Sequence, residues 1–152
     1  HQRTVDGRRF LGRDVESGAG DQFFSTADDI LAFGKMLLNS GASGNERILA
    51  RLSVEAMTTD QLTAEQKAAS PFFPNFWDAR GWGLGVSIIT RRDDVASVPG
   101  RFGWDGAFST SLYVDPHEDM VGVLMAKCRP GALGLPPVVR DFWTSAYQAI
   151  DD

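Results

Sequence analysis

Apolar positions recur at helical spacing over Ala27, Ile30, Leu31, Gly34, Leu37 and Leu38, which predicts an amphipathic helix. Ser25 or Thr26 stands where a cap belongs, and Asp28 and Asp29 put negative charge in the first turn, where the helix dipole favours it. Gly34 on the apolar face predicts close approach of a neighbouring element, and Asn39-Ser40-Gly41 closes the helix. A shorter helix is expected from a Ser53 cap through Val54, Ala56 and Met57 to about Asp60, with a further turn or two over residues 61–69. Three strands follow in the pattern. The first runs from Trp82 to Thr90, the second from Phe108 to Val114, and the third from Met120 to Lys127, a run apolar enough to be covered on both faces. The turn signal Asp115-Pro116-His117-Glu118-Asp119 makes the last two an antiparallel hairpin. Pro136 and Pro137 open a final helix whose stripe is Val139, Phe142, Trp143, Ala146 and Ile150.

This order predicts an α+β fold: a three-stranded antiparallel sheet, a C-terminal helix packed on it, and an N-terminal helical segment. Residues 1–24 read as an extended or looped leading segment, 25–80 as the helical segment with an aromatic loop, and 81–152 as the sheet with its helix. Together they make one partial domain. The aromatic loop is Pro71, Phe72, Phe73, Pro74, Phe76 and Trp77, where two prolines exclude a central strand. Three roles stay open for it: the lining of an acyl pocket, a lid, or a patch over the core.

Composition narrows the partners. With 15 basic against 20 acidic residues the net charge is −5, and no basic stripe exists to neutralise a phosphate backbone, so nucleic acid is not expected. No apolar run reaches the ~18 residues of a membrane span. The single cysteine, Cys128, excludes an internal disulfide, and no compartment is legible. His1 and His117 lack spaced metal-ligand companions, so no metal is expected, nor any cofactor: Gly81-x-Gly83-x-Gly85 lacks the spacing of a dinucleotide loop.

Nucleophilic chemistry needs a hydroxyl with an activating base. The lysines Lys35, Lys67 and Lys127 are preceded three positions earlier by Ala32, Ala64 and Leu124, so no Ser-x-x-Lys occurs. Tyr113 and Tyr147 are followed two positions later by Asp115 and Ala149, so no Tyr-x-Asn occurs either.

Four segments nonetheless form a recognisable series. Residues 17–30, Ser-Gly-Ala-Gly-Asp-Gln-Phe-Phe-Ser-Thr-Ala-Asp-Asp-Ile, resemble the glycine-rich loop and S-T-A-x-D helix start of the serine β-lactamase-like hydrolases. That family includes class C β-lactamases, penicillin-binding DD-peptidases and related esterases. Gly81-Trp82-Gly83-Leu84-Gly85 resembles its G-x-G-x-G strand start. Phe102-Gly103-Trp104-Asp105-Gly106, with Ser109 to Asp115 and Val121-Gly122-Val123-Leu124, resembles its third-motif hairpin, and the closing helix fits. The resemblance covers nearly the whole chain and maps it onto the C-terminal part of the family.

The resemblance implies an acyl-enzyme serine hydrolase whose Ser-x-x-Lys and Tyr-x-Asn lie in an N-terminal part. This chain is therefore expected to be a fragment or one piece of a split protein, inactive alone. Trp104 to Ala107 are implied to lie on the strand edging the active site, with the backbone N–H of Ala107 as one oxyanion donor and the serine N–H as the other. Gly106 would admit close approach of substrate. Trp104, Asp105 and Gly106 stand where the family usually has Lys-Thr-Gly or His-Thr-Gly. The missing cation, with Asp105 repelling a substrate carboxylate, points to an esterase-like or amidase-like member acting on a small ester or amide. Phe72, Phe73 and Trp77 complete the expected substrate-binding set. The alternative is a non-catalytic binding or assembly module on the same scaffold. Uncovered sheet edges predict either pairing with the N-terminal part or self-association.

Overall fold

The computed structural model describes residues 3–5, 8–10, 25–70, 72, 74–106, 108–128 and 136–151. A short hairpin pairs β1 (Arg3–Val5) with β2 (Arg8–Phe10). Helix α1 (Ala27–Leu38) begins at Thr26, whose side-chain oxygen accepts the Asp29 N–H at 3.1 Å. It ends through Ser40, at φ 52°, and Gly41, at φ 94°. Their N–H groups return to the carbonyls of Leu37 and Met36 and satisfy groups that the helix end leaves open.

A hairpin absent from the sequence reading follows, β3 (Ala42–Ser43) with β4 (Glu46–Arg47). Helix α2 (Arg51–Met57) starts two residues earlier than the expected Ser53 cap; Ala50 stands at its N-cap and Ser53 lies inside the first turn. Helix α3 (Ala64–Ala69) has a full capping box, with Thr63 accepting from the Gln66 N–H while the Gln66 side chain accepts from the Thr63 N–H.

The main sheet corrects the expectation of three strands. It has five, all antiparallel and in chain order: β5 (Arg80–Trp82), β6 (Ser87–Ile89), β7 (Phe102–Asp105), β8 (Thr110–Asp115) and β9 (Met120–Met125). The expected strand over residues 82–90 is a hairpin, because the chain reverses at Gly83–Val86 with Gly85 at φ 90°, a conformation closed to most side chains. Phe102–Asp105, outside the three strands that the hydrophobic pattern predicts, is a strand in its own right. The β8–β9 hairpin is as expected, and Asp115 fastens its turn by accepting the N–H groups of His117 and Glu118.

Helices cover the sheet on both faces. On one, Met36 and Leu37 of α1 and Val54 of α2 pack with Ile88, Phe102 and Val114. On the other, Val139 and Trp143 of α4 (Pro137–Gln148) pack with Tyr113 and Ala96. Gly34 is the close-approach point the pattern predicts: a methyl group there would stand 2.6 Å from Val121 Cγ1 and 3.2 Å from Leu112 Cδ1. Among the described residues no helix is long and apolar enough to cross a membrane.

Candidate functional site

Strand β7 carries the residues singled out by the third motif, and it sends them in opposite directions. The indole of Trp104 packs edge-on against Trp82 at 4.8 Å between ring centroids, with Phe72 at 5.8 Å and Phe76 at 6.3 Å. Phe76 in turn meets Trp77 at 4.8 Å. The aromatic loop and the end of β7 are thus one wall. Trp104 remains 37% exposed and Phe72 51%, so the wall presents ring surface to solvent.

Two polar contacts shape this wall. The Trp77 indole N–H donates to the Ser70 carbonyl at 2.8 Å, which pins the loop to the end of α3. Lys67 Nζ lies 5.9 Å from the Trp77 ring and the Arg80 guanidinium 5.8 Å from the Phe76 ring. Lys67 is itself anchored, 2.5 Å from Asp60 Oδ2, while Asp60 Oδ1 accepts the N–H groups of Trp82 and Leu62. Burial works against the charge of Asp60, but the bonds from Lys67, Trp82 and Leu62 outweigh it and hold the carboxyl below its ordinary value. The segment before α3 and strand β5 are locked together by that one carboxylate. A groove of about 410 Å³ runs along Lys67, Phe72, Pro74, Phe76 and Trp77.

Asp105 turns away from the wall. Its Oδ1 accepts from Ser111 Oγ at 2.6 Å and its Oδ2 from the Tyr113 hydroxyl at 2.9 Å, while Ser111 Oγ accepts the Trp143 indole N–H at 2.9 Å. This chain of bonds joins β7, β8 and α4. Burial chiefly, reinforced by the charge of Asp105, pushes the Tyr113 hydroxyl well above its ordinary pKa, so it stays a donor.

Gly106 follows at the start of the loop into β8. Its N–H donates to the Thr110 carbonyl at 2.7 Å, and a side chain there would collide with Thr110 Oγ1. A side chain at this position would thus force the Thr110 hydroxyl to move. Ala107 and Phe73 lie outside the described residues.

The structure brings Trp104 together with Phe72 and Trp77, and adds Trp82, Phe76, Lys67 and Arg80, which the expected substrate-binding set lacks. Trp82 was visible as the bulky residue inside the glycine run at 81–85, a place where a large aromatic ring needs something to pack on. Among the described residues no group of three or more His, Cys, Asp or Glu side chains is placed to hold a metal. His117 is an exposed turn residue with Nδ1 2.9 Å from Glu118 Oε1.

Known proteins resemble this chain in sequence and in fold. Two Mycobacterium tuberculosis proteins, "Uncharacterized protein MT1414" and "Protein Rv1367c", are each 42% identical to the chain over 110 residues, 68% of this chain and 27% of theirs. The chain thus spans little more than a quarter of the length of these relatives. The crystal structure of a penicillin-binding protein homolog from Caulobacter crescentus superposes with a TM-score of 0.61 over 80% of this chain and 31% of that one; at 16% identity this is a likeness of fold. The sequence profile described as Beta-lactamase matches residues 1–136. That match takes in α1, the five-stranded sheet and the strand on which Trp104 and Asp105 part company, and it makes this chain a member of the Beta-lactamase family.

Proposed function

We propose that the chain is the C-terminal portion of an esterase-like or amidase-like serine hydrolase of this family, and that Trp104 and the aromatic loop form the wall against which an acyl group lies. The observation that carries this reading is the half-exposed aromatic cluster at the end of β7, where the family usually has a cation in its third motif. Rings with exposed faces favour an apolar acyl group over a charged one. Gly106 keeps the backbone bare beside the wall, and the N–H of Ala107 serves as one oxyanion donor. The nucleophilic serine and its lysine come from a partner segment, since Ser-x-x-Lys is absent from these 152 residues. The free edge of β9, last in the sheet order among the described residues, gives that segment or a second copy a place to pair.

The test is reconstitution with the N-terminal part of a family relative. Labelling by a fluorophosphonate should appear only in the mixture, and cleavage of p-nitrophenyl esters should rise from acetate to hexanoate. Trp104→Ala should flatten that chain-length preference while leaving labelling intact. A complex that forms, by sedimentation, yet neither labels nor hydrolyses refutes the catalytic reading and favours a binding module.

A further inference from the structure

The face of the sheet opposite the aromatic wall holds a separate cavity of about 320 Å³ under α4. Its floor is Arg101, only 5% exposed, with the guanidinium 4.0 Å from the Trp143 ring, 4.1 Å from Tyr113 and 5.4 Å from Tyr147. Rings stacked on a guanidinium attract its charge but leave its in-plane N–H groups needing acceptors. One Nη1–H donates to the Ala96 carbonyl, while the Nε–H is buried with no acceptor among the described residues.

The nearby carboxylates of Asp105 and Asp115 attract this cation through space but form no ion pair with it. Asp105 spends both oxygens on Ser111 and Tyr113. Asp94 Oδ1 accepts from the Ala96 N–H and Ser97 Oγ. Asp115 accepts two turn N–H groups and, at 2.5 Å, the Tyr147 hydroxyl. None of the described carboxylates forms an ion pair with Arg101. A buried guanidinium with an unmet N–H and no contact ion pair carries a desolvation cost, and an anion bound beside it recovers part of that cost. Arg80 and Arg140, the latter 3.9 Å from Asp141, also line the cavity, so its charged lining is three guanidiniums against the carboxylates of Asp94 and Asp105. The rest of the lining is largely apolar, including Ile89, Val95 and Val139.

From these observations we infer that the cavity is a binding site for a small organic carboxylate with an apolar body, its head group on Arg101 and its body against Val95, Val139 and Trp143. This site lies across the sheet from Trp104, and Arg80, which also reaches the Phe76 ring, is the residue it shares with the aromatic wall. A pocket of this size suits a compact ligand held by one charged anchor and apolar walls.

The experiment is an NMR titration of the 152-residue chain, following the indole N–H of Trp143, with sodium benzoate, sodium acetate and inorganic phosphate at constant ionic strength. Benzoate should shift that resonance saturably, with acetate and phosphate weaker. Arg101→Lys keeps the charge but loses the fork and should weaken benzoate about 10–100-fold. Val95→Trp, at a position 57% exposed, fills the cavity mouth without disturbing Arg101 and should abolish the shift. Trp104→Ala should leave benzoate binding unchanged, which separates this site from the acyl wall. No saturable shift with benzoate, undiminished binding in Val95→Trp, or tighter binding of phosphate than benzoate each overturns the assignment. Should Arg101→Lys not fold, Val95→Trp still decides.

Discussion

Asp105→Ala tests the polar chain that joins β7 to α4. The carboxylate receives two hydroxyl donors, Ser111 at 2.6 Å and Tyr113 at 2.9 Å, from residues that are 3% and 5% exposed. Removing it strands both protons away from water, and each such loss costs about 1–3 kcal/mol. Asp105 itself is only partly buried, so water entering the vacated volume recovers some of this, and the net loss comes to about 2–4 kcal/mol. Against a domain stability of about 5–15 kcal/mol that is a large fraction. Urea unfolding followed by far-UV circular dichroism should show the midpoint falling by roughly 1–2 M, given an m-value of about 2 kcal/mol/M that the variant leaves unchanged. Asp105→Asn keeps one acceptor and should lose roughly half as much. Ser111→Ala removes a bond shared with Asp105, so the double variant should be less destabilised than the sum of the singles by about 1 kcal/mol or more. An Asp105→Ala variant within about 0.5 kcal/mol of the parent, or strict additivity with Ser111→Ala, would refute the reasoning.

The chain's two tyrosines, Tyr113 and Tyr147, are both held above their ordinary pKa, chiefly by burial and then by Asp105 and Asp115. A raised folded pKa stabilises the protein fully below the unfolded value of about 10 and is lost as pH climbs through the folded one. Absorbance at 295 nm should therefore show almost no phenolate at about pH 11 while the chain stays folded, and a normal titration near pH 10 in the folded state would contradict this. Asp60 has the opposite sign: its lowered pKa gives stability that is present above about pH 4 and lost as pH falls through the folded value, so Asp60→Asn should flatten the acid limb of a thermal-melt series. An unchanged acid limb would remove Asp60 as its source. Gly34→Ala gains about 1 kcal/mol of helix propensity but drives a methyl group to 2.6 Å from Val121 Cγ1, an overpacking cost of about 1–3 kcal/mol. A net destabilisation is expected by urea unfolding, and a more stable variant would show that α1 can simply move away.

Elements that announce themselves locally were legible in the sequence. Helix α1 has its cap, its first-turn acids and its stripe within fourteen consecutive positions, and the β8–β9 turn spells out its own chemistry in Asp115-Pro116. Strands β5, β6 and β7 were harder. Each is three or four residues long, too short for alternation to show, and glycines at 81, 83, 85 and 103 erase side-chain pattern where it was most needed. The hairpin at Ala42–Arg47 has two residues in each strand and offers no period at all. In the site, the aromatic loop was visible as a group because its members are neighbours in sequence. The packing of Trp82 on Trp104 was not, because it depends on where the strands bring the ends of β5 and β7. Nor was Arg101, whose partners Trp143 and Tyr147 lie more than forty positions away on α4.

The parting of Trp104 and Asp105 also fixes how the two sides of the sheet relate. Adjacent residues of a strand point to opposite faces, so a segment that must offer an aromatic ring to one side necessarily presents its next side chain to the other. Here that next side chain is a carboxylate, and a carboxylate left against the α4 layer would be costly without donors. Ser111, Tyr113 and, through Ser111, Trp143 supply them. The same two tyrosine hydroxyls that satisfy Asp105 and Asp115 are thereby withheld from other acceptors, and the same two carboxylates act on Arg101 through space without forming an ion pair with it. The aromatic residue displayed on one face and the guanidinium on the other are thus linked through one set of donors and acceptors, held by Asp105 in β7 and Asp115 in β8.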